Sequence, residues 1–506
     1  MSVPATFSVA LANEAATAQL MADLALLIAP GDVITLTGDL GAGKTVAARA
    51  LIRFLAGDEN FEVPSPTFTL AQIYDLPPYP LLHADLYRVN DSSELEELGL
   101  VPLPDGTVVL IEWPERAPTL LPPDRIDIAL THRPSLGLGA RAVTVSGYGR
   151  GAAKIERLMA LQRFLNITGH SDSRRERMAG DASSRSYARL FKDDQSVVLM
   201  NSPRRPDGPP AYDGKSYSAA VHLAEDVRPF IALANGLRER GFSTPTIHHA
   251  DIDDGFLIIE DFGRGSLVSG DPPKIIIDRY EAAVETLAAL HQEKLPDALP
   301  IAPQRNYHVP MFDTAAMMVE VGLVMEWYLP DKGVAITSNL HAEFLLVWNE
   351  LLTKLAAAPR TWVLRDFHSP NLIWLERRMD TARVGILDFQ DAVIGPTAYD
   401  LVSLLQDARI DVPESVEIAM LTHYAKLQRE SDPTFNAAAF VEYYAIMSAQ
   451  RNTRLLGTFA RLNRRDNKPQ YLRHQPRAWT YLKRALAHPS LVGLHEWCAA
   501  YVPPPG

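Results

Sequence analysis

Leu364-Arg365-Asp366-Phe367-His368-Ser369-Pro370-Asn371, followed by Asp388-Phe389-Gln390, is the stretch whose reading decides the fold of most of this chain. An apolar approach, Trp362-Val363-Leu364, delivers Asp366 to a loop. Asn371 follows five residues later, and a second apolar run, 384–387, delivers Asp388. Two short strands that each end on a carboxylate bring these oxygen-bearing groups together. Phosphoryl transfer asks for such a set: a carboxylate to take a hydroxyl proton, and an amide with a second carboxylate to hold magnesium on a triphosphate. Asp and Asn also build ordinary turns and caps. The loop, the spacing and the downstream Asp-Phe-Gln together weigh against that plainer reading.

The sharpest motif lies far upstream. Val33-Ile34-Thr35-Leu36-Thr37 reads as a strand, and Gly38-Asp39-Leu40-Gly41-Ala42-Gly43-Lys44-Thr45 satisfies the G-x-x-x-x-G-K-[ST] pattern ahead of a helix over 46–55. In such a loop the backbone N–H groups cradle phosphates at a helix N-terminus. Lys44 reaches the outer phosphates and Thr45 offers its hydroxyl to Mg2+. Thr107-Val108-Val109-Leu110-Ile111 is a buried-strand pattern ending at Glu112-Trp113, where a carboxylate can join the magnesium shell or polarise water. Asp85 ends the apolar segment 81–84 and serves either as an acid or as a cap; Thr67, in Ser65-Pro66-Thr67-Phe68, is either functional or part of a rigid turn.

At 506 residues the length predicts several domains, and 47% hydrophobic content fills ordinary cores. No apolar run is long enough to cross a bilayer and no basic, apolar and cleavable leader opens the sequence, so the expectation is a cytoplasmic protein without membrane contact. The single cysteine, Cys498, excludes an intrachain disulfide and a cysteine zinc site. Of the net charge of −12, residues 1–150 carry −9, with nine Lys and Arg against eighteen Asp and Glu. That balance argues against direct, extensive contact with a nucleic-acid backbone, which needs clustered cations.

The N-terminal motifs, taken in order with His83-Ala84-Asp85-Leu86-Tyr87-Arg88, Glu94-Leu95-Glu96-Glu97-Leu98 and Ile111-Glu112-Trp113, resemble the TsaE family of P-loop ATPases of tRNA threonylcarbamoyladenosine synthesis, over residues 5–145. The resemblance implies Mg2+-dependent ATP hydrolysis in support of TsaB and TsaD partner proteins, with tRNA engaged only indirectly. It implies Lys44 on the phosphates, Thr45 and Glu112 in the magnesium shell, and Asp85 as an active-site acid.

Residues 134–153 are rich in Gly, Ser and Arg, which predicts domains over 1–147 and 155–506 joined by a linker over 148–154. Beyond it, Gly180-Asp181-Ala182-Ser183-Ser184 precedes two alternating strands. Gly255 to Glu260 forms a strand stopping at Asp261-Phe262-Gly263, and Gly395-Pro396 is followed by Tyr399-Asp400-Leu401. With the Asp366 loop, in which D-x-x-x-x-N is the kinase spacing, these segments resemble the aminoglycoside phosphotransferase family. The closest likeness is to its AmgK branch of anomeric kinases for N-acetylmuramate and N-acetylglucosamine.

The fold implied is an α/β P-loop NTPase domain followed by a bilobal α+β protein-kinase-like domain. Ser183 and Ser184 would cover the triphosphate of ATP, and the backbone of Glu260, Asp261 and Phe262 would meet the adenine. Asp366 would be the base, with Asn371 and Asp388 on Mg2+ and an amino sugar as acceptor. The third strand, Val197 to Asn201, lacks the lysine that kinases place there, and that role stays unassigned. Glu225 or Glu239 could reach the site but reads more simply as a solvated side chain. Asp400 would anchor the loop through Arg365, and the aromatic stretch 325–328 would wall the acceptor site or belong to the core. Cationic acceptors such as choline, homoserine or an aminoglycoside remain open for the second half, and a nucleotide-dependent binding module for the first.

Overall fold

The computed structural model describes residues 4–77, 79–89, 93–97, 100–137, 139–178, 185–205 and 208–506. Ser183 and Ser184, expected over the triphosphate, lie outside the described residues. The chain forms two compact units, Met1–Pro203 with Ile247–Asp261, and Arg204–Thr246 with Phe262–Gly506. No helix among the described residues is long and apolar enough to cross a membrane.

The first unit holds two sheets. In the larger, β1 (Ala5–Leu11), β2 (Val33–Thr37), β3 (Ala71–Tyr74), β4 (Leu81–Asp85), β5 (Val108–Glu112), β6 (Arg125–His132) and β7 (Arg141–Tyr148) are ordered β1-β7-β6-β2-β5-β4-β3. β2 lies parallel to both β5 and β6, and β4 parallel to β5. β4 and β5 are buried along their whole length, as parallel strands covered on both faces must be. Helices α1 (Glu14–Ala25) and α2 (Lys44–Ala56) pack on each other, with a short α3 at Ser93–Glu97. The Asn13 side chain caps α1 by accepting from the N–H of Ala16 at 2.9 Å. Parallel strands present their C-terminal ends to ligands; here those ends carry Thr37, Asp85 and Glu112.

α4 (Arg150–Ile167) leads directly from β7 into the second sheet, which has the order β11-β12-β10-β9-β8. Its strands are β8 (Arg174–Arg177), β9 (Ser186–Lys192), β10 (Gln195–Asn201), β11 (Ile247–Asp251) and β12 (Phe256–Glu260), all antiparallel. The linker expected over 148–154 is therefore corrected to a strand end and the first turn of a helix. Its glycines serve close packing: a Cβ on Gly147 would come 2.4 Å from the carbonyl oxygen of Gly151, and one on Gly151 2.3 Å from that of Arg125. The glycine-rich composition thus marks a place where strand and helix backbones touch.

One apolar cluster runs from Leu11 through Leu51, Leu161 and Leu190 to Ile258, so the two sheets share a core. Asp23 of α1 and Arg175 of β8, 0% and 2% exposed as side chains, form a two-pronged ion pair at 2.9 and 3.1 Å, and Gln162 of α4 adds a bond to Asp23 at 3.0 Å. Ser186 Oγ and Asn201 Nδ2 both donate to the carbonyl oxygen of Leu26, at 3.0 and 3.4 Å.

The second unit is mainly helical. It contains α5 (Tyr217–Ala220), α6 (Arg228–Arg238), α7 (Ile277–Gln292), α8 (Thr314–Leu323), α9 (Leu329–Asp331), α10 (Ser338–Lys354), α11 (Ala398–Leu405), α12 (Glu414–Ser431) and the long α13 (Ala437–Asp466), followed by α14 (Gln475–Ala485) and α15 (Val492–Tyr501). Small antiparallel pairs are β13–β14 (Val268–Ser269, Lys274–Ile275) and β15–β16 (Ala298–Ala302, Arg305–His308). β17 (Arg360–Val363), β18 (Leu372–Trp374), β19 (Val384–Ile386) and β20 (Val393–Pro396) pair as β17 with β20 and β18 with β19. These last two pairs hold the Asp366 loop and Asp388. Between α8 and α9, Val324–Tyr328 is wound as a π-helix, a form that recurs near functional sites. His291 is half-buried and bonded to the Tyr424 hydroxyl at 2.7 Å, and Cys498 is buried; both are packing residues.

Candidate functional site

In the first unit the loop 38–43 turns from β2 into α2, with Gly38, Gly41 and Gly43 at φ 135°, 81° and 104°. Gly43 admits no side chain: a Cβ there would come 2.5 Å from Nε of Arg141, whose side chain lies across the loop. Lys44 is buried, and its Nζ donates to the carbonyl oxygens of Gly38 at 2.6 Å and Asp39 at 2.9 Å, above the Trp113 ring at 3.6 Å. Burial lowers the affinity of that amine for its proton, against the pull of Glu112, Glu115, Asp85 and Asp39. Glu112 Oε2 accepts from Thr45 Oγ1 at 3.0 Å, and its Oε1 meets His83 Nε2 at 2.9 Å. Asp85 accepts from Thr67 Oγ1 at 2.8 Å and from the N–H of Tyr87 at 3.0 Å. Thr45 and Glu112 thus form a hard, all-oxygen donor pair of the kind magnesium selects, with His83 orienting the carboxylate from behind.

In the second unit Asp366 follows Arg365, which sits at φ 67°. Asp400 of α11 holds that bend by accepting from the N–H groups of Leu364 at 2.6 Å and Arg365 at 2.9 Å, and Ser403 Oγ donates to the Arg365 carbonyl at 2.9 Å. The anchoring expected through Arg365 therefore runs through its backbone. Its guanidinium goes elsewhere, to the Val221 carbonyl at 2.6 Å and to Glu320 at 3.3 Å. Asn371 Nδ2 donates to the Asp366 carbonyl at 3.0 Å and approaches Asp388 Oδ2 at 3.4 Å; Gln390 donates to Asp388 Oδ1 at 2.8 Å. The structure brings Asp366, Asn371 and Asp388 together, and the Asn371 amide oxygen with the Asp388 carboxylate is again an oxygen set suited to magnesium.

Burial by itself would raise the Asp366 carboxyl, but the charges of His368, Arg451, Arg454 and Arg409 outweigh it and hold the group below the usual carboxylate range. His368, 3.7 Å away, is itself pushed down to about 4 by burial. The ring therefore lends its charge only at acid pH, whereas Arg451, Arg454 and Arg409 are charged throughout. Asp366 stays an ionised acceptor, and its side chain is 33% exposed.

Residues 174–436 match the family model described as the phosphotransferase enzyme family, APH, and residues 11–140 match threonylcarbamoyl adenosine biosynthesis protein TsaE. The chain belongs to the phosphotransferase enzyme family. It carries a TsaE domain ahead of the phosphotransferase domain. Over 360 residues it is 35% identical to the N-acetylmuramate/N-acetylglucosamine kinase of Caulobacter vibrioides, covering 69% of this chain and 97% of that protein. The kinase of the same name in Pseudomonas aeruginosa is 31% identical over 328 residues, 64% of this chain and 87% of that one. At the other end, TsaE of Rickettsia felis is 42% identical over 118 residues, 23% of this chain and 68% of that protein.

In the TsaE domain, His83 and Trp113 stand inside the motifs quoted from the sequence but carried no role there, and Arg141 was not singled out; they touch Glu112, Lys44 and Gly43 respectively. The signal for the first two was their place in those motifs, His83 two residues before Asp85 on the same strand and Trp113 next to Glu112. In the phosphotransferase domain Asp261 spends its side chain on Arg189, at 2.5 and 3.1 Å, and on Ser196 at 2.8 Å. Lys192, at the end of β9, donates to the Gly169 carbonyl and to Asp172, and the role of the missing third-strand lysine stays unassigned. Glu225 accepts from Ser216 and Ser218, and Glu239 is exposed. Glu320, Arg451 and Arg454 gave no local signal at all.

Proposed function

We propose that this chain joins two ATP-using activities. The phosphotransferase domain moves the γ-phosphoryl group of ATP to the anomeric hydroxyl of N-acetylmuramate and N-acetylglucosamine, a step of peptidoglycan recycling. Asp366 takes the C1 hydroxyl proton, the sugar oxygen forms the new P–O bond, and the bond to the β-phosphate oxygen breaks, leaving ADP and the sugar 1-phosphate. An anomeric hydroxyl is more acidic than an ordinary alcohol, which suits an unperturbed or lowered carboxylate as base. Asn371 and Asp388 would hold Mg2+, which neutralises phosphate charge when bound. Glu260, Asp261 and Phe262 are assigned to the adenine through their backbone groups. The observation that carries this reading is the grouping of Asp366, Asn371 and Asp388, with the Asn371 amide 3.0 Å from the Asp366 carbonyl and 3.4 Å from the Asp388 carboxylate, in a domain that aligns with 97% of a kinase named for these two sugars.

The TsaE domain hydrolyses ATP in support of threonylcarbamoyladenosine formation on tRNA, with TsaB- and TsaD-like proteins as its partners, in the cytoplasm. The loop 38–43 with Lys44 binds the phosphates, Thr45 and Glu112 hold Mg2+, and Asp85 is the further acid.

Phosphate transfer from ATP to N-acetylmuramate, N-acetylglucosamine, choline, homoserine and kanamycin tests the kinase half. Sugar 1-phosphate formed by wild type and lost in Asp366→Asn is expected; a cationic acceptor used in place of the sugars would overturn it. ATP hydrolysis with and without the partner proteins tests the other half.

A further inference from the structure

The charge around Asp366 is arranged for a second negative group. α13 carries Arg451 and Arg454 one helical turn apart, a spacing that puts both on one face. Glu320 of α8, 0% exposed, is the carboxylate within ion-pair distance of Arg365 and Arg454 among the described residues: it lies 3.3 Å from Arg365 Nη1 and 3.7 Å from Arg454 Nη1, and it also accepts from Gln450 at 2.8 Å, while Asp366 adds its charge from farther off. Arg451, 3% exposed, has no carboxylate within ion-pair distance among the described residues. It donates weakly to the Arg365 carbonyl at 3.4 Å and lies over the Tyr399 ring at 5.7 Å. The Nε atoms of Arg451 and Arg454 and Nη1 of Arg365 are buried without a hydrogen-bond partner.

Such an arrangement is costly unless something answers it, because a buried guanidinium needs a counter-charge and its N–H groups need acceptors. Asp400 does not supply the balance, as both its oxygens are spent on backbone N–H groups and burial drives its carboxyl up to about 7. Arg454 is the member that reaches the accessible side, with 13% of its side chain exposed. Tyr217, near the same face of α13, lies under Arg461 at 4.4 Å and packs in one apolar cluster with Trp327 of the π-helix. Aromatic surface beside a cationic fork fits a sugar that bears an acid.

We propose that Arg454, backed by Arg451, binds a carboxylate on the acceptor and so distinguishes the acidic sugar from the neutral one at a single catalytic base. This rests on the sugar-kinase reading above. The two sugars differ by the lactyl ether of N-acetylmuramate, whose carboxylate is the matching group; N-acetylglucosamine offers none. A bidentate fork is what a planar carboxylate takes best, and lysine reproduces the charge without the fork.

The test measures kcat and KM separately on the full-length protein for N-acetylmuramate, its methyl ester and N-acetylglucosamine, with wild type, Arg454→Gln, Arg454→Lys and Arg451→Gln. Arg454→Gln should raise KM for N-acetylmuramate by roughly 10- to 100-fold, the loss expected for a charged hydrogen bond. Its effect on KM for the methyl ester and for N-acetylglucosamine should be much smaller, with Arg454→Lys falling between, while any fall in kcat common to all three acceptors reports the charge that Arg454 lends to Asp366. An equal rise in KM for both sugars, or no rise for either, would overturn the proposal. Should Arg451→Gln fail to fold, the partly exposed Arg454 still decides the matter. Wild type that phosphorylates neither sugar would overturn the sugar-kinase reading itself, which is a different result from two sugars that lose activity together.

Discussion

The two candidate sites of this chain hold their charges in opposite ways. Around the loop 38–43 the functional groups are satisfied by one another at short range: Lys44 on two carbonyls at 2.6 and 2.9 Å, Thr45 on Glu112 at 3.0 Å, Thr67 on Asp85 at 2.8 Å. Around Asp366 the loop backbone is held by short bonds, 2.6 and 2.9 Å to Asp400, but the approaches between the functional side chains are longer, 3.4 Å from Asn371 to Asp388 and 3.7 Å from His368 to Asp366, and guanidinium nitrogens stand buried without hydrogen-bond partners among the described residues. At the first site the phosphate loop itself is complete within eight residues, Gly38 to Thr45, and the carboxylates come from the ends of two neighbouring strands. The second gathers groups from α8, α11 and α13, and its unmet charge makes it selective for what enters. Binding strength can be local, whereas discrimination draws on distant parts of the chain.

The strongest way to break the comparison is to remove one site at a time. Asp366→Asn keeps the shape of the side chain and removes the base, and phosphotransfer should fall by about 10²- to 10⁴-fold while ATP hydrolysis by the TsaE domain is unchanged. Lys44→Ala should reverse the pattern, with hydrolysis lost and sugar phosphorylation kept. Product assays on the same two preparations check both. Loss of both activities in either variant would mean that the sites are not separate and that the contrast drawn between them is misplaced.

That contrast also explains what was legible beforehand. Gly38 to Thr45 could be read outright, because a phosphate cradle depends on glycines and a lysine at fixed offsets. Asp366, Asn371 and Asp388 were legible because short buried strands deliver them. Glu320 and Arg451 lie 46 residues before and 85 residues after Asp366 on amphipathic helices, where a charged residue looks like any solvated one. Only packing turns that face inward. The junction was misread for a related reason: Gly147, Gly149 and Gly151 have the composition of a linker, and nothing local reveals that another backbone presses on two of them.

The joined core of the first unit gives the next prediction. Asp23→Ala leaves Arg175 buried and uncompensated, and breaking a buried pair costs about 3–5 kcal/mol. Thermal unfolding of the full chain should show the loss, with Glu59→Gln as the control. Glu59 and Arg174 pair at 2.5 Å, but with side chains 71% and 51% exposed, so screening should leave less than about 1 kcal/mol. A melting curve indifferent to Asp23→Ala would mean that the two sheets merely touch.

The smallest effect concerns the bend before Asp366, where burial and hydrogen bonding pull Asp400 in opposite directions. Burial drives its carboxyl from the ordinary 3.8 up to about 7, against the N–H groups of Leu364 and Arg365 that favour the anion. Between those values the folded protein keeps a proton that the unfolded chain has lost. Stability from this group is therefore fully present below about pH 4, falls as pH rises to about 7, and then levels off, with a slope of at most ~1.4 kcal/mol per pH unit. Asp400→Asn cannot titrate, so melting temperatures measured from pH 4 to 8 should lose that component of the slope, even if the variant is less stable throughout. An unchanged slope would mean that the two N–H bonds outweigh burial and Asp400 is ionised over the whole range. In that case the loop that presents Asp366 is held by a charge-assisted pair as tightly satisfied as any in the phosphate loop, and the looseness of the second site begins only beyond it, at the arginines.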